Sequence, residues 1–290
     1  MLVPYTPGTG ADILSRLLGP TLTRLWKTPV VTENRPGASG NIGADLVAHA
    51  APDGYTFLFT ATSFATNPPL NPHLPFDPVT SFAPVAVVAA SSMGLMLNPS
   101  VPARTVREFV ELARRAPGEL HYGSTGNGAP QHLTMELVKL ETGTDLVHVP
   151  YKGSGGAMSD LVAGHVQAMV VSIQTAAPYI VSGRLRMLAV LSEHRLHAFG
   201  DVPTLAEAGY PGLVVDTWYA VFAPAGTPAA IITRVNAALD QAIHQPDIRT
   251  QLDRQGLAPV GGPPERLANT LRRDLDRWAR VIAAAHIKAD

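Results

Sequence analysis

The sequence predicts an α/β protein, and three observations carry that prediction. Short apolar runs alternate with glycine- or serine-rich loops and amphipathic helices along most of the chain, the rhythm of helices covering largely parallel sheets. Of the 290 residues, 46% are hydrophobic, which is ample for a large buried core and fits one large or two ordinary domains. The 26 prolines and 25 glycines are scattered rather than pooled in a linker, so they mark many short, shaped turns.

The elements follow in order. Residues 13–26 place Ile13, Leu14, Leu17, Leu18, Leu22, Leu25 and Trp26 on one helical face. "PVVTE" (29–33) and "YTFLFT" (55–60) read as strands, with a glycine-rich loop and a helix between them. "PVAVVAA" (84–90) and "LMLN" (95–98) read as two further strands. "TVREFVELARRAPG" (105–118) is a helix, opened by a capping box of Thr105 with Glu108 and closed by Pro117-Gly118. The alternation then repeats through the strands "LHYGS", "LVHVP", "VQAMVVS" and "LRMLAVL". A long apolar strand, "LVVDTWYAVFA" (213–223), precedes three helices that begin at Pro228, Pro246 and Pro263 and end near 244, 255 and 285. "APV" (258–260) reads as a short returning strand. A break into two α/β lobes falls near residue 98, with a return near 217. Residues 1–98 and 217–290 then make a discontinuous first lobe, and 99–216 the second. No period of 20 to 50 residues repeats, which disfavours a solenoid.

Composition removes several function classes. The formal net charge is −1 with no basic block, so nothing recommends a nucleic-acid partner. No apolar run is long enough to cross a bilayer. The chain has no cysteine, which excludes a thiol nucleophile, an iron–sulfur cluster and a cysteine zinc site. Met1 leads at once into "LVPYTP", with neither the basic nor the apolar stretch of a signal peptide. "LVPY" reads as the end of a strand whose beginning is missing, as expected of a shortened chain.

Ligands of open α/β sheets sit beyond the carboxyl ends of strands. The loops expected there are "PYTPGTGAD" (4–12), "TATSFATN" (60–67), "STGNGAPQH" (124–132), "YKGSGGA" (151–157) and "VSIQTAA" (171–177). They are rich in Gly, Ser, Thr, Asn and Ala and poor in charge, and several run into helix starts, where free N–H groups favour an anion. Any one of them taken alone is better read as an ordinary tight turn or N-cap. Five of like chemistry at equivalent positions argue for a shared site. Asp12, the carboxylate among them, is better explained by its helix start. Lys152 either adds positive potential or is a surface lysine. Trp218 and Tyr219 line a cleft or fill the core, and core is the better reading of large apolar side chains.

Known chemical motifs do not match. Gly8-Thr9-Gly10 lacks the third glycine of a dinucleotide fingerprint, since Ile13 stands in its place, and no loop ends as a P-loop does. "GASGN" (37–41) has Asn41 where a nucleophile elbow has glycine, which leaves Ser39 a poor nucleophile. Glu193, His194 and His197 lack a further metal ligand at a recognisable spacing. His132 and Glu136 share a helix face, but no second histidine completes a zinc motif. No catalytic residue, cofactor or metal is expected.

Seven blocks together carry a resemblance: "PYTPGTGAD", "VTENRPGASGNIGADLVAHAAPDGYTFLF", "NPHLPFDPVTSFAPV", "YGSTGNGAPQHL", "VHVPYKGSGGAMSDLVAGHVQAMV", "DVPTLAEAGYPGL" and "FAPAGTP". They resemble the Bug family, the extracytoplasmic solute receptors of tripartite tricarboxylate transporters, over essentially the whole chain. The resemblance implies a two-lobe periplasmic binding protein of type II, hinged on two crossover strands and closing on a small carboxylate. It implies a periplasmic location, transporter membrane subunits as partners, and a protein that acts as a monomer without membrane insertion. Carried onto this chain, the first-lobe site residues are Tyr5, Pro7, Gly8, Thr9, Gly10 and Ser63. Those of the second lobe are Thr125, Asn127, Ala129, Gln131, Ser154, Gly155, Gly156, Ala157 and Ser172. Phe64 and Trp218 near the first loop are expected to tune selectivity. Thr6 replaces a family proline and Thr9 interrupts the family's glycines, so pocket size and water placement are expected to differ. With Asp12 given to its helix start, the loops hold no other carboxylate, which leans toward a plain carboxylic acid over an amino acid. An enzyme on the same scaffold, and a ligand sensor for a membrane signalling partner, stay open as alternatives.

Overall fold

A computed structural model describes residues 1–71 and 73–287. The chain divides into two compact units, one of Met1–Ala90 with Trp218–Ala279, the other of Ser91–Thr217 with the segment that begins at Arg280. Both units are mixed α/β.

The first unit is built on strands β1 (Leu2–Val3), β2 (Glu33–Asn34), β3 (Leu58–Ala61), the first part of β4 (Phe82–Leu97), most of β9 (Asp216–Pro224), and β10 (Ala258–Pro259). Their order is β2-β1-β3-β9-β4, with β10 on β4. β1 runs parallel to β2 and β3, whereas β3–β9 and β10–β4 are antiparallel. Helix α1 (Gly10–Trp26) packs on β3 and on α8 (Ala229–Ile243). Its face of Leu14, Leu18 and Leu22 is buried with Phe57, Phe59, Val85, Val88, Val221 and Leu239. α2 (Asn41–Ala48) and α3 (Ser63–Leu70) follow β2 and β3, and α9 (Pro246–Arg254) and α10 (Pro264–Ala284) close the chain.

In the second unit the last part of β4 pairs antiparallel with β7 (Ala168–Ser172) and β8 (Arg186–Val190). β5 (His121–Ser124) runs parallel to both β7 and β6 (Val147–Pro150). Each of these three parallel strands is followed by a helix: α5 (Pro130–Thr142), α6 (Ser154–Ala163) and α7 (Ile173–Val181). α6 and α7 bury Ala157, Met158, Leu161 and Ala176 against Met169 and Val171 of β7. α4 (Val106–Arg115) keeps its expected cap, with Thr105 Oγ1 accepting from Glu108 N–H.

The largest departure from expectation is β4. Two separate strands, 84–90 and 95–98, are expected on either side of Ser91-Ser92-Met93-Gly94, yet one strand runs from Phe82 to Leu97. Turn-favouring residues yield because Met93–Leu97 finds a complete ladder on β7, and Gly94–Leu97 a second one on β8, offset by a register shift at Leu95/Met96. Unpaired buried backbone costs more than local preference gains.

Candidate functional site

In the first unit the loop of residues 4–9 joins β1 to α1, and its own side chains hold it. Tyr5 is half-buried, and its hydroxyl bonds to Thr60 Oγ1 at 2.8 Å and Ser63 Oγ at 2.6 Å. It also accepts the Ala61 N–H at 3.3 Å. Burial raises the Tyr5 hydroxyl above its ordinary range, partly offset by these bonds. Gly8 takes φ +86°, open to glycine at little cost, and its N–H donates to Asp12 Oδ2 at 2.9 Å. Asp12 is buried, and it also accepts from Arg16 Nε and Asn34 Nδ2, both at 2.9 Å. Burial pushes its carboxyl up, but the bonds from Gly8, Asn34 and Arg16 outweigh that and hold it below the usual range. Asn34 Nδ2 reaches Tyr5 O as well. Asp12 therefore does more than serve a helix start, since it clamps the loop before it.

Of the other first-unit candidates, Pro7 is exposed, and Thr9 sits at the N-cap position with Oγ1 bonded to Thr6 O rather than to the helix. Gly10 is the first residue of α1, and a Cβ there would stand 2.7 Å from Tyr219 Cζ. Ser63 opens α3. The expectation that Phe64 and Trp218 tune selectivity needs correction, while the core reading of Trp218 holds. Phe64 lies buried among Phe76, Phe82 and Phe222, and Trp218 is buried with Nε1 donating to Asp274 Oδ2, so neither is placed to meet a ligand. Tyr219 is the residue the sequence reading undervalues. Alternation along β9 turns it away from Trp218, toward Gly10 and Tyr5, and burial beside Tyr5 raises its hydroxyl.

The second unit is organised differently. Because β6, β5 and β7 are parallel, their carboxyl ends Pro150, Ser124 and Ser172 share one edge, and α6, α5 and α7 all start there. None of the three helices has a side-chain cap. The N-cap of α6 is Gly153 at φ +111°, a conformation that excludes most capping side chains, and Ser154, Gly155 and Gly156 of its first turn are exposed. First-turn N–H groups have no partner inside a helix, so this start presents donors outward, with the positive end of the dipole behind them. The segment expected as a loop up to Ala157 is thus already helix. Ala157 buries its methyl in the core, which leaves only its backbone to offer.

Thr125 Oγ1 donates to Gln131 Oε1 at 2.9 Å, and Ala129 occupies the N-cap of α5. Asn127 is exposed. Ser172, at the N-cap of α7, bonds to Thr175 Oγ1 at 2.8 Å rather than to the helix. Beside it, Gln174 Nε2 is buried with no hydrogen-bond partner, a donor that the sequence reading passed over. Tyr151 donates to Asp160 Oδ2 at 2.6 Å, and burial followed by Asp160 pushes its hydroxyl up to about 12. Lys152 is exposed. His194 and His197 are exposed, and among the described residues no three His, Cys, Asp or Glu side chains gather as metal ligands.

Residues 14–287 match the tripartite tricarboxylate transporter family receptor, TctC. The chain belongs to that family. BugT of Bordetella pertussis is 36% identical over 284 residues, covering 97% of this chain and 87% of BugT. A solved protein of Rhodopseudomonas palustris, Rpa4515 with adipate, is 35% identical with a TM-score of 0.77, covering 99% of this chain and 97% of its own. MatC of the same organism, with bound malate, is 31% identical with a TM-score of 0.73, covering 97% of each chain. TctC-family membership and these neighbours give the chain the fold of periplasmic binding proteins and make it a solute-binding receptor.

Proposed function

We propose that this TctC-family receptor binds a small di- or tricarboxylate, with one carboxylate group held at the second-unit edge where α5, α6 and α7 begin. The observation that supports this is the start of α6: Gly153 to Gly156, uncapped, exposed from Ser154 on, and without an acidic side chain in the run. Backbone N–H groups and a helix dipole favour an anion by about 0.3–1 kcal/mol each when exposed and up to about 2 when partly buried. Gln131, Ser154, Ser172 and Gln174 add neutral donors, with Thr125 holding the Gln131 side chain. Adipate and malate in the two solved relatives are of this ligand class.

The proposal extends to the first-unit residues Tyr5 to Gly10 and Ser63, which take the far end of the ligand. In that reading residues 1–98 with 217–290 and residues 99–216 are lobes that close on it. The protein works in the periplasm, as a monomer, delivering ligand to transporter membrane subunits. In this reading it catalyses nothing: Ser124 Oγ lies 2.6 Å from His148 Nε2, but that serine is fully buried and gives its hydrogen to Gly126 O.

The test is a thermal-shift and calorimetric screen against mono-, di- and tricarboxylates, aromatic acids and acidic amino acids, with the mixture analysed for turnover. Ligand at about 100 times its Kd stabilises by about 2.7 kcal/mol, worth several degrees in a chain of this size. A shift with a dicarboxylate and no new product supports the reading. Product formation, or silence from every acid with a folded sample, overturns it.

A further inference from the structure

Behind the second-unit edge lies a polar cluster on one face of the sheet. The register sets Tyr122 beside His148 and Ser124 beside Pro150 across β5 and β6, and α5 packs over that face with His132. The His132 and His148 rings stack at 3.8 Å, 8° from parallel, and Tyr122 stacks on His148 at 4.9 Å. His132 Nδ1 accepts the Gly128 N–H at 3.0 Å. His148 Nε2 lies 2.6 Å from Ser124 Oγ, which also meets Gly126 O at 3.1 Å and Gly126 N at 3.2 Å. Two histidines thus hold the turn that runs from Ser124 to Ala129, one at each side.

Hydrogen-bond bookkeeping assigns the protons. An acceptor role for His132 Nδ1 leaves the proton on Nε2. Ser124 has one hydrogen, and donating it to Gly126 O lets Oγ accept from both Gly126 N–H and His148 Nε2–H, which satisfies every partner. His132 is then neutral, whereas the bond to Ser124 suits His148 in either state. Among the described residues, the titratable groups in contact with this cluster include Tyr122 from β5 and Glu136 and Lys139 from α5, while β7 and the segment Pro211–Leu213, which pack on α5, carry none. Glu136 is engaged by Tyr122 Oη at 2.5 Å and Lys139 Nζ at 2.9 Å, so its charge is already matched. Burial, then His132, then Lys139, lower His148 to about 4.

We propose that His132 and His148 are positioning residues, a stacked pair of neutral imidazoles that fixes the 124–129 turn in its binding shape, so that ligand affinity falls when His132 takes up a proton. A protonated His132 has no lone pair for Gly128, whereas His148 keeps its Nε2–H bond to Ser124 in either state. The pair therefore couples solution acidity to the backbone at the mouth of α5 without touching the ligand. This rests on the reading that the second-unit edge binds a carboxylate.

The experiment uses the full chain with adipate and malate as probes. His132→Asn places an amide oxygen where Nδ1 was, accepting from Gly128 with nothing to titrate, and His132→Leu removes the acceptor. At pH 7.5, His132→Asn is expected to bind within about threefold of wild type and His132→Leu at least tenfold more weakly, with circular dichroism confirming that both are folded. Because the probes titrate too, the acid arm compares wild type with His132→Asn at each pH. Wild type is expected to lose at least fivefold more affinity between pH 7.5 and 4.5. Equal losses, or a His132→Leu protein that binds as wild type does, overturn the proposal. If wild type binds neither probe, the carboxylate reading is what has failed. Nitrogen NMR of the free protein then decides the pair separately: an Nε2–H tautomer for His132, and a Gly128 amide signal that shifts with its protonation, support the brace. An Nδ1–H tautomer or a charged His132 at pH 7.5 overturns it.

Discussion

The two units hold the loop after a parallel strand differently, although neither α1 nor α6 carries a side-chain cap. In the first, Tyr5, Asp12 and Asn34 consume the donors and acceptors of the loop and hold it from within. In the second, α6 begins on bare glycines, and nothing of its own satisfies the helix start. A loop that has spent its hydrogen bonds can shape a wall but has little left to give a ligand. A helix start that has spent none is available to an anion. The contrast lies in side-chain chemistry, since both units place helices after parallel strands.

The contrast is broken most directly at Gly155, where a side chain meets nothing within 4 Å. Gly155→Asp puts a carboxylate at the open start of α6, where, on the proposed reading, it takes the place of the ligand's own. Adipate or malate affinity is expected to fall at least about 100-fold while the melting temperature holds or rises, because an acid in a first turn is stabilising. Gly155→Ala is the control and should stay within a few fold, with calorimetry reading both. Asp12→Ala makes the opposite demand. It strands Gly8 N–H and Asn34 beside a buried hole and should cost about 2–3 kcal/mol, as lost bonds to a charged group do. Denaturant unfolding checks this, and a smaller loss of affinity than at Gly155 is expected.

The smallest effect is a pH signature that separates the units. His148 is held at about 4 against an ordinary 6.5, so the unfolded chain binds its proton first as pH falls. The stability it contributes is full above pH 6.5 and is lost progressively between 6.5 and 4. Asp12, held low instead, keeps its contribution until pH falls below the ordinary carboxylate range. Melting curves from pH 7 to 4 should therefore slope downward, and His148→Gln, which retains a donor toward Ser124, should flatten part of that slope. An unchanged slope would show that the second-unit cluster does not titrate as a buried pair.

Much of this was legible in the residues. The loops 4–9 and 124–129, the capping box of Thr105 and Glu108, and the starts of the last three helices are local patterns, set by backbone propensity and by what a missing side chain permits, whereas the stretches 63–67, 154–157 and 173–177, expected as loop, are helix. The family could be read from whole blocks of such patterns. The join of β4 across Ser91–Gly94, the separation of Trp218 from Tyr219, and the stacking of His132 on His148 could not. A strand's partners settle whether a serine-glycine run turns or pairs. The register of β9 on β3, with Tyr219 opposite Ala61, settles which neighbour faces the core. The two histidines are 16 positions apart and meet only because β5 and β6 lie parallel beneath α5. Sequence determined which segments could serve as loops, because that depends on each residue and its near neighbours. Tertiary structure alone decided which loops are spent and which are open, because hydrogen-bond satisfaction depends on partners far along the chain.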